Sequence, residues 1–270
     1  VSVFTLFPVL FSLYLSFHRW SILRPEKPFI GLDNYLRMVD DAEFWLALKN
    51  TFIYTIGGVG LETPLALILA LMLTRKLRGL ALYRTAYFMP AVTSTIAVAV
   101  VWTWVFNPQY GLINQALEAL GLQGPGWLAD PTWALPAIII MSVWKSAGYH
   151  MVIFLAGLQA IPDVYYEAAS LDGANGWQQF WHVTWPLLIP TTGFVLITTV
   201  IFSFQVFGPV YVMTGGGPMR STTVIVYYLY QRAFQFLEMG YASAIAWVVF
   251  LIIMFLTVIQ FRYTRKGVEI

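Results

Sequence analysis

Two ionisable side chains stand where charge is hardest to place. Glu62 and Lys145 lie inside long apolar stretches. A charged group in such a setting faces an interior, a water-filled cavity or a partner charge, and by default it marks a functional position. Three readings are open: a mutual ion pair between two helices, a contact with another subunit, or a ligand for a bound solute. A structural pairing of Glu62 with Lys145 is the expectation. A second group is Phe202-Ser203-Phe204-Gln205, which sets ring faces and an amide within one turn. Rings cover apolar C–H faces and an amide meets hydroxyls, so Gln205 and Phe202 are the first candidates for solute contact, with Tyr149 and Lys145 behind them. Polar side chains also bond helices to one another, which is the plainer role for Gln205.

Other chemistries lack their residues. His18, His150 and His182 are scattered and show no metal-ligand spacing, and cysteine is absent. No G-x-x-x-x-G-K-[ST] phosphate loop occurs, so this chain carries no ATPase machinery of that type. No nucleophile–base arrangement stands out. A net charge of +2, without basic clusters among stacking aromatics, gives no sign of nucleic-acid binding.

The elements that must hold these residues can be drawn from composition. Of 270 residues, 59% are hydrophobic and 10% charged, against about a quarter charged in a soluble domain. Thr85 to Leu117, Gly173 to Met219 and Met239 to Phe261 contain no Asp, Glu, Lys or Arg. An apolar run of about 18 residues crosses a bilayer core as a helix, and the alternating pattern of a membrane barrel is missing. The expectation is an all-α, multi-pass membrane protein forming one domain over 1–270. Its six spans run near 1–18, 50–74, 87–106, 134–158, 187–212 and 241–262. Val1 already lies in an apolar segment, which suggests that native chain precedes it. A signal peptide over Val1–Phe17 is the alternative, without a basic n-region to support it. The excess of Lys and Arg ties between the two sets of loops, so charge leaves orientation open, with a lean from Arg75, Lys76, Arg78 and Arg84 in the short 75–86 connection.

The connection over 159–186 carries the most pattern. Pro162 suits the first turn of a helix, Asp163 and Glu167 sit near its N-terminal end, and Gly173 suits a left-handed stop. Asn175 can cap a second helix that is expected to end at Pro186. Trp177, Trp181 and Trp185, four apart, would line one face of it. Two readings are open at this point, an interfacial amphipathic loop or a partner-docking element.

Glu167-Ala168-Ala169, three residues, Gly173, nine residues and then Val183-x-Trp185-Pro186 resemble the EAA loop (EAA-x3-G-x9-I-x-LP) of binding-protein-dependent ABC permeases. Val replaces Ile and Trp replaces Leu, both apolar. The match extends through Asp172 and Ala174, Phe180 and Pro190. Phe29 to Tyr35, Arg84 with Met89-Pro90, Asn107 to Leu117, Tyr211 to Pro218 and Gly240 to Ala244 are similar to the carbohydrate-uptake branch. Gly208 departs from it, since relatives often carry Asp there. This departure bears on ligand specificity near the end of the fifth span. The resemblance implies a type I importer permease fold of six membrane helices in a prokaryotic inner membrane. It implies a cytoplasmic coupling helix over 162–173, with Glu167, Ala168, Ala169, Asp172 and Gly173 coupling to an ATPase. Gln205 would then lie in the outer half of the membrane. Implied partners are a second permease subunit, two nucleotide-binding subunits holding ATP and Mg, an extracytoplasmic solute-binding protein and a sugar. This chain itself would carry no cofactor and no metal. Gly215, Gly216, Gly217 and Pro218 form either a flexible turn or a surface facing the binding protein. Alternatives are a non-sugar solute such as a phosphorylated polyol or an oligopeptide, an ion-coupled secondary transporter, and a structural scaffold.

Overall fold

Asp41 starts the longest helix. Its side chain accepts hydrogen bonds from the backbone N–H groups of Glu43 (3.0 Å) and Phe44 (3.3 Å), satisfying donors that the helix itself cannot. From there α3 runs Ala42–Leu73 without interruption at Pro64. The computed structural model describes residues 2–23, 26–74 and 79–266, and the described residues are all-helical apart from loops and one isolated bridge, His18 with Phe29. Arg75, Lys76 and Arg78 lie outside them.

Ahead of α3 come α1 (Phe7–Ser16) and α2 (Asp33–Asp40). After it come α4 (Leu80–Val92), α5 (Thr95–Val105), α6 (Leu112–Ala119) and α7 (Ala134–Gln159). Next in order are α8 (Asp163–Leu171), α9 (Gly176–Gln179), α10 (Trp185–Phe204), α11 (Gly208–Met213), α12 (Ile225–Tyr230) and α13 (Met239–Lys266). Four stretches are long and apolar enough to cross a membrane: Ala42–Leu73, Ala134–Gln159, Gly176–Phe204 and Met239–Thr264. The apolar helix Phe4–Ser16 is shorter.

The expected third span, 87–106, is not one rod. α4 and α5 meet at a bend of 98°. Pro90 lacks the N–H that would bond the carbonyl of Ala86, Thr93 and Ser94 adopt extended backbone, and the Thr93 hydroxyl donates to the Pro90 carbonyl at 2.6 Å. Counted as one broken span, the pair makes a fifth crossing. The expected helix end at Pro186 is also corrected. Gly176–Phe204 is one continuous helical stretch, with a π turn over Phe180–Thr184 immediately before the proline. The wider ring accommodates the carbonyl that Pro186 leaves unpaired, so the helix passes through. The expected fifth span, 187–212, ends at Phe204, and Gln205 to Phe207 separate it from α11.

At the centre α3 lies along α7, with α10 against both, α4 on α7, and α13 between α10 and α1. Small residues set the closest approaches. A Cβ on Gly148 of α7 would fall 1.9 Å from the Tyr87 carbonyl oxygen of α4, so only glycine permits this spacing. Many large apolar side chains, among them Leu251, Phe255 and Val258 of α13, face outward, as a lipid-contacting surface requires.

Candidate functional site

Side chains four apart on a helix share a face. On α3 this places Tyr54, Gly58 and Glu62 in one row. On α7, Ser142, Ser146, Tyr149 and His150 form another, with Lys145 beside them. The rows face each other across a cavity of about 580 Å³, closed by Phe202 and Ser203 of α10, by Gln205 to Pro209 beyond its end, and by Ala91 and Thr95 at the bend. All four residues singled out for solute contact, Gln205, Phe202, Tyr149 and Lys145, line this one space. Phe202 and Tyr149 are exposed, and Gln205 is the residue on which α10 ends.

Glu62 and Lys145 do not pair. The Glu62 carboxylate meets His150 Nδ1 at 2.5 Å, both groups buried, and the other imidazole nitrogen lies 3.5 Å from the Thr198 hydroxyl. Lys145 instead donates to the Ala91 carbonyl at 3.3 Å, at the C-terminal end of α4. His150 and Lys145 are five positions apart, about 140° around α7, and the register of α7 against α3 turns the histidine toward the glutamate. His150 is the site residue that sequence reasoning passed over. Its signal was the unmet need of Glu62 for a partner. Among the described residues no group of three His, Asp or Glu side chains could hold a metal.

At one end of α3, α8 runs Asp163–Leu171 and stops as its glycine foretells. Gly173 has φ +80°, and the N–H groups of Gly173 and Ala174 bond back to Ser170 (3.1 Å) and Ala169 (2.9 Å). Asn175 and Gln178 then form a reciprocal cap on α9, at 3.0 and 2.8 Å. Tyr166 reaches the Thr184 hydroxyl at 3.0 Å, and Gln179 the Ser170 hydroxyl at 2.9 Å, fastening α8 to the stretch leading into α10. Glu167 and Ala168 are exposed with Asp172 and Gly173, and Ala169 is half-buried. Leu171 is 90% exposed, although apolar. Trp177, Trp181 and Trp185 form a ring ladder with centroids 5.7 and 6.0 Å apart. A cleft of about 1010 Å³ opens between α8, α9, α4 and the ends of α3 and α7.

At the other end of α3, Asp41 is the hub of a polar network. Tyr241 donates to it at 2.6 Å and Tyr228 donates to it as well, while Arg232 donates from Nε to the Tyr228 oxygen at 2.8 Å. Arg37 grips Glu238 with two bonds of 2.9 Å. Burial pushes the Asp41 carboxyl up, but the hydrogen bonds from Tyr228, Tyr241 and the Phe44 N–H, with the Arg232 charge, outweigh it and hold the group below the usual carboxylate range. Nearby, Gly215 to Pro218 are tied down. Thr214 and Thr222 hydroxyls meet at 2.7 Å, Thr222 and Thr223 donate to Gly217 and Gly216, and Asn50 of α3 donates to the carbonyls of Arg220 (3.1 Å) and Thr223 (3.0 Å).

Helices long and apolar enough to cross a membrane thus surround a cavity of about 580 Å³, with an exposed short helix at one end. The chain belongs to the family described as binding-protein-dependent transport system inner membrane component, whose model matches residues 62–268. It is similar to the trehalose/maltose transport system permease protein MalF of Thermococcus litoralis, 38% identical over 98% of this chain and 90% of that one. It is equally similar to the lactose transport system permease protein LacF of Rhizobium radiobacter, 39% identical over 98% and 90%. A solved bacterial ABC transporter involved in import of the acidic polysaccharide alginate superposes with a TM-score of 0.85, covering 98% of this chain and 91% of that chain at 24% identity, a likeness of fold. The protein is thus a multi-pass permease component of an ABC-type importer and not its catalytic subunit.

Proposed function

We propose that this chain forms half of the translocation path of an ATP-driven sugar importer in a prokaryotic inner membrane. A second permease subunit forms the other half, two ATPase subunits holding ATP and Mg lie inside, and a solute-binding protein docks outside. Relatives named for trehalose/maltose and lactose transport support the sugar assignment. The chain acts as one domain, in which the short N-terminal helix and the bent α4–α5 pair complete six crossings. α8 is the coupling helix, facing the cytoplasm. Glu167, Ala168 and Ala169 meet the ATPase, and Asp172 with Gly173 shape the helix end. The observation carrying this reading is an exposed α8 bearing the EAA residues, fastened to a helix that runs unbroken to the cavity wall at Phe202.

ATP drives import only if it favours the outward-facing arrangement over the inward-facing one, because equal binding to both shifts nothing. The tied Gly215–Pro218 loop, at the opposite end of α3 from α8, is the surface offered to the binding protein. Gln205, Phe202, Tyr149 and Lys145 contact the solute. Purification of the tagged chain in mild detergent tests the assembly. An ATPase and a second permease co-eluting at fixed stoichiometry support it, whereas a lone homo-oligomer that transports after reconstitution rejects it. Within that complex Glu167→Lys is expected to abolish assembly or ATP-driven uptake while membrane insertion is unchanged. Uptake at the wild-type rate would remove α8 from the coupling role.

A further inference from the structure

We propose that the cavity is built for a solute carrying a negative charge, a carboxylate, phosphate or sulfonate on a polyhydroxylated body, and that Lys145 is its counter-ion. The inference rests on the importer reading above and narrows its substrate class.

The charges around the cavity are unequally committed. Among the described residues Glu62 is the one acidic side chain in its lining, and His150 occupies it at 2.5 Å. Both are nearly closed off from the lumen, at 5% and 2% exposure. Lys145 is only half-buried and no described carboxylate lies within ion-pair distance of it. Its single hydrogen bond goes to a neutral carbonyl, Ala91. An ammonium has three donors, so two remain for a ligand, and a carbonyl at a helix end offsets its charge only in part. A solute entering this space therefore meets an unpaired cation before it meets any anion.

The neighbours fit the remainder of such a solute. Ser146 spends its proton on the Ser142 carbonyl at 2.7 Å and so presents acceptor lone pairs. Gln205 offers both donors and an acceptor, while Phe202 and Tyr149 supply rings. α5 begins at Thr95 on the same wall, so a helix N-terminus borders the cavity along with the carbonyl end of α4 that the lysine meets. Closure of the path around a neutral sugar would strip water from Lys145 and leave it unpaired. Closure around an anion pairs it, so charge selects for the solute in the occluded state. The competing roles are a staple, in which Lys145 merely holds the end of α4 at the bend, and an ion pair with the second permease subunit. A staple has no preference between solutes.

The test uses the complete importer, both permeases, ATPase subunits and binding protein, in proteoliposomes. Trehalose, lactose, a uronic-acid disaccharide and sn-glycerol 3-phosphate are supplied together, and luminal solutes are read by mass spectrometry with and without ATP. The expected result is ATP-dependent accumulation of the acidic probes over the neutral ones. Lys145→Gln should lower acidic uptake at least about tenfold, the factor for losing one hydrogen bond to a charged group, and Lys145→Arg should restore most of it. Neutral sugars accumulating in preference in the wild type, or Lys145→Gln slowing both classes alike, overturns the inference and leaves the sugar-importer reading standing. No ATP-dependent accumulation of any probe by an intact complex overturns both. If the Gln variant does not assemble, neutral-sugar preference in the wild type still overturns the inference.

Discussion

The Glu62–His150 contact makes a sharp claim about two side chains. Breaking a buried pair strands the survivor without solvation, at a cost of about 3–5 kcal/mol. His150→Leu and Glu62→Leu are each expected to lower the melting temperature of the purified complex, and the double change should cost less than the sum. Lys145→Met should instead add independently to Glu62→Leu, and coupling between those two would restore the pairing expected from sequence. Asp41 gives a pH-dependent counterpart outside the membrane. Its folded-state pKa is depressed, so its contribution is present above the unfolded value of about 3.9 and is lost as pH falls through the folded one. Amide protection around Arg232 and Glu238 should fall on acidification below about pH 4, and Asp41→Asn should reduce that step. The ionisable positions were legible in the sequence because charge is rare in apolar runs. Their partners were not, since one sequence does not say how α7 is rotated against α3.

At the scale of elements, proline and glycine set most of the boundaries, and not always as their local preferences suggest. Gly173 stops α8 where the left-handed rule places it. A Cβ there meets nothing within 4 Å, so Gly173→Ala should cost only the conformational term, about 1–2 kcal/mol, read as earlier hydrogen exchange at the α8 end. Gly148 is the opposite case, with space but not dihedral limiting it. Gly148→Val must part α7 from α4 and is expected to abolish a folded complex, seen as loss of a monodisperse elution peak. Pro186 was expected to end a helix and does not, because a π turn absorbs the unpaired carbonyl. Pro90 falls inside the span expected over 87–106 and precedes a 98° bend. The two prolines differ in the residues that come after them. Pro186 leads into an apolar run buried against α3, α7 and α13, whereas Pro90 is succeeded by Thr93 and Ser94, whose hydroxyls and extended backbone favour leaving the helix.

For the molecule as a whole, hydropathy located the long helices and the EAA pattern gave them a family, so most of the fold could be read in advance. The cavity could be read only as a list of candidates. Lys145 and Tyr149 lie on one helix, Phe202 and Gln205 on and beyond another, and only packing brings them around one space. The GGGP segment, which reads as a slack turn, is internally bonded and held by Asn50, a residue 170 positions before Arg220. That fastening has a mechanical consequence. The Asn50 side chain belongs to one continuous helix of 32 residues, about 48 Å long, whose far end borders the cleft beneath α8. In the proposed orientation, a body pressing on the loop from outside pushes on the same continuous helix that reaches the cleft beneath α8.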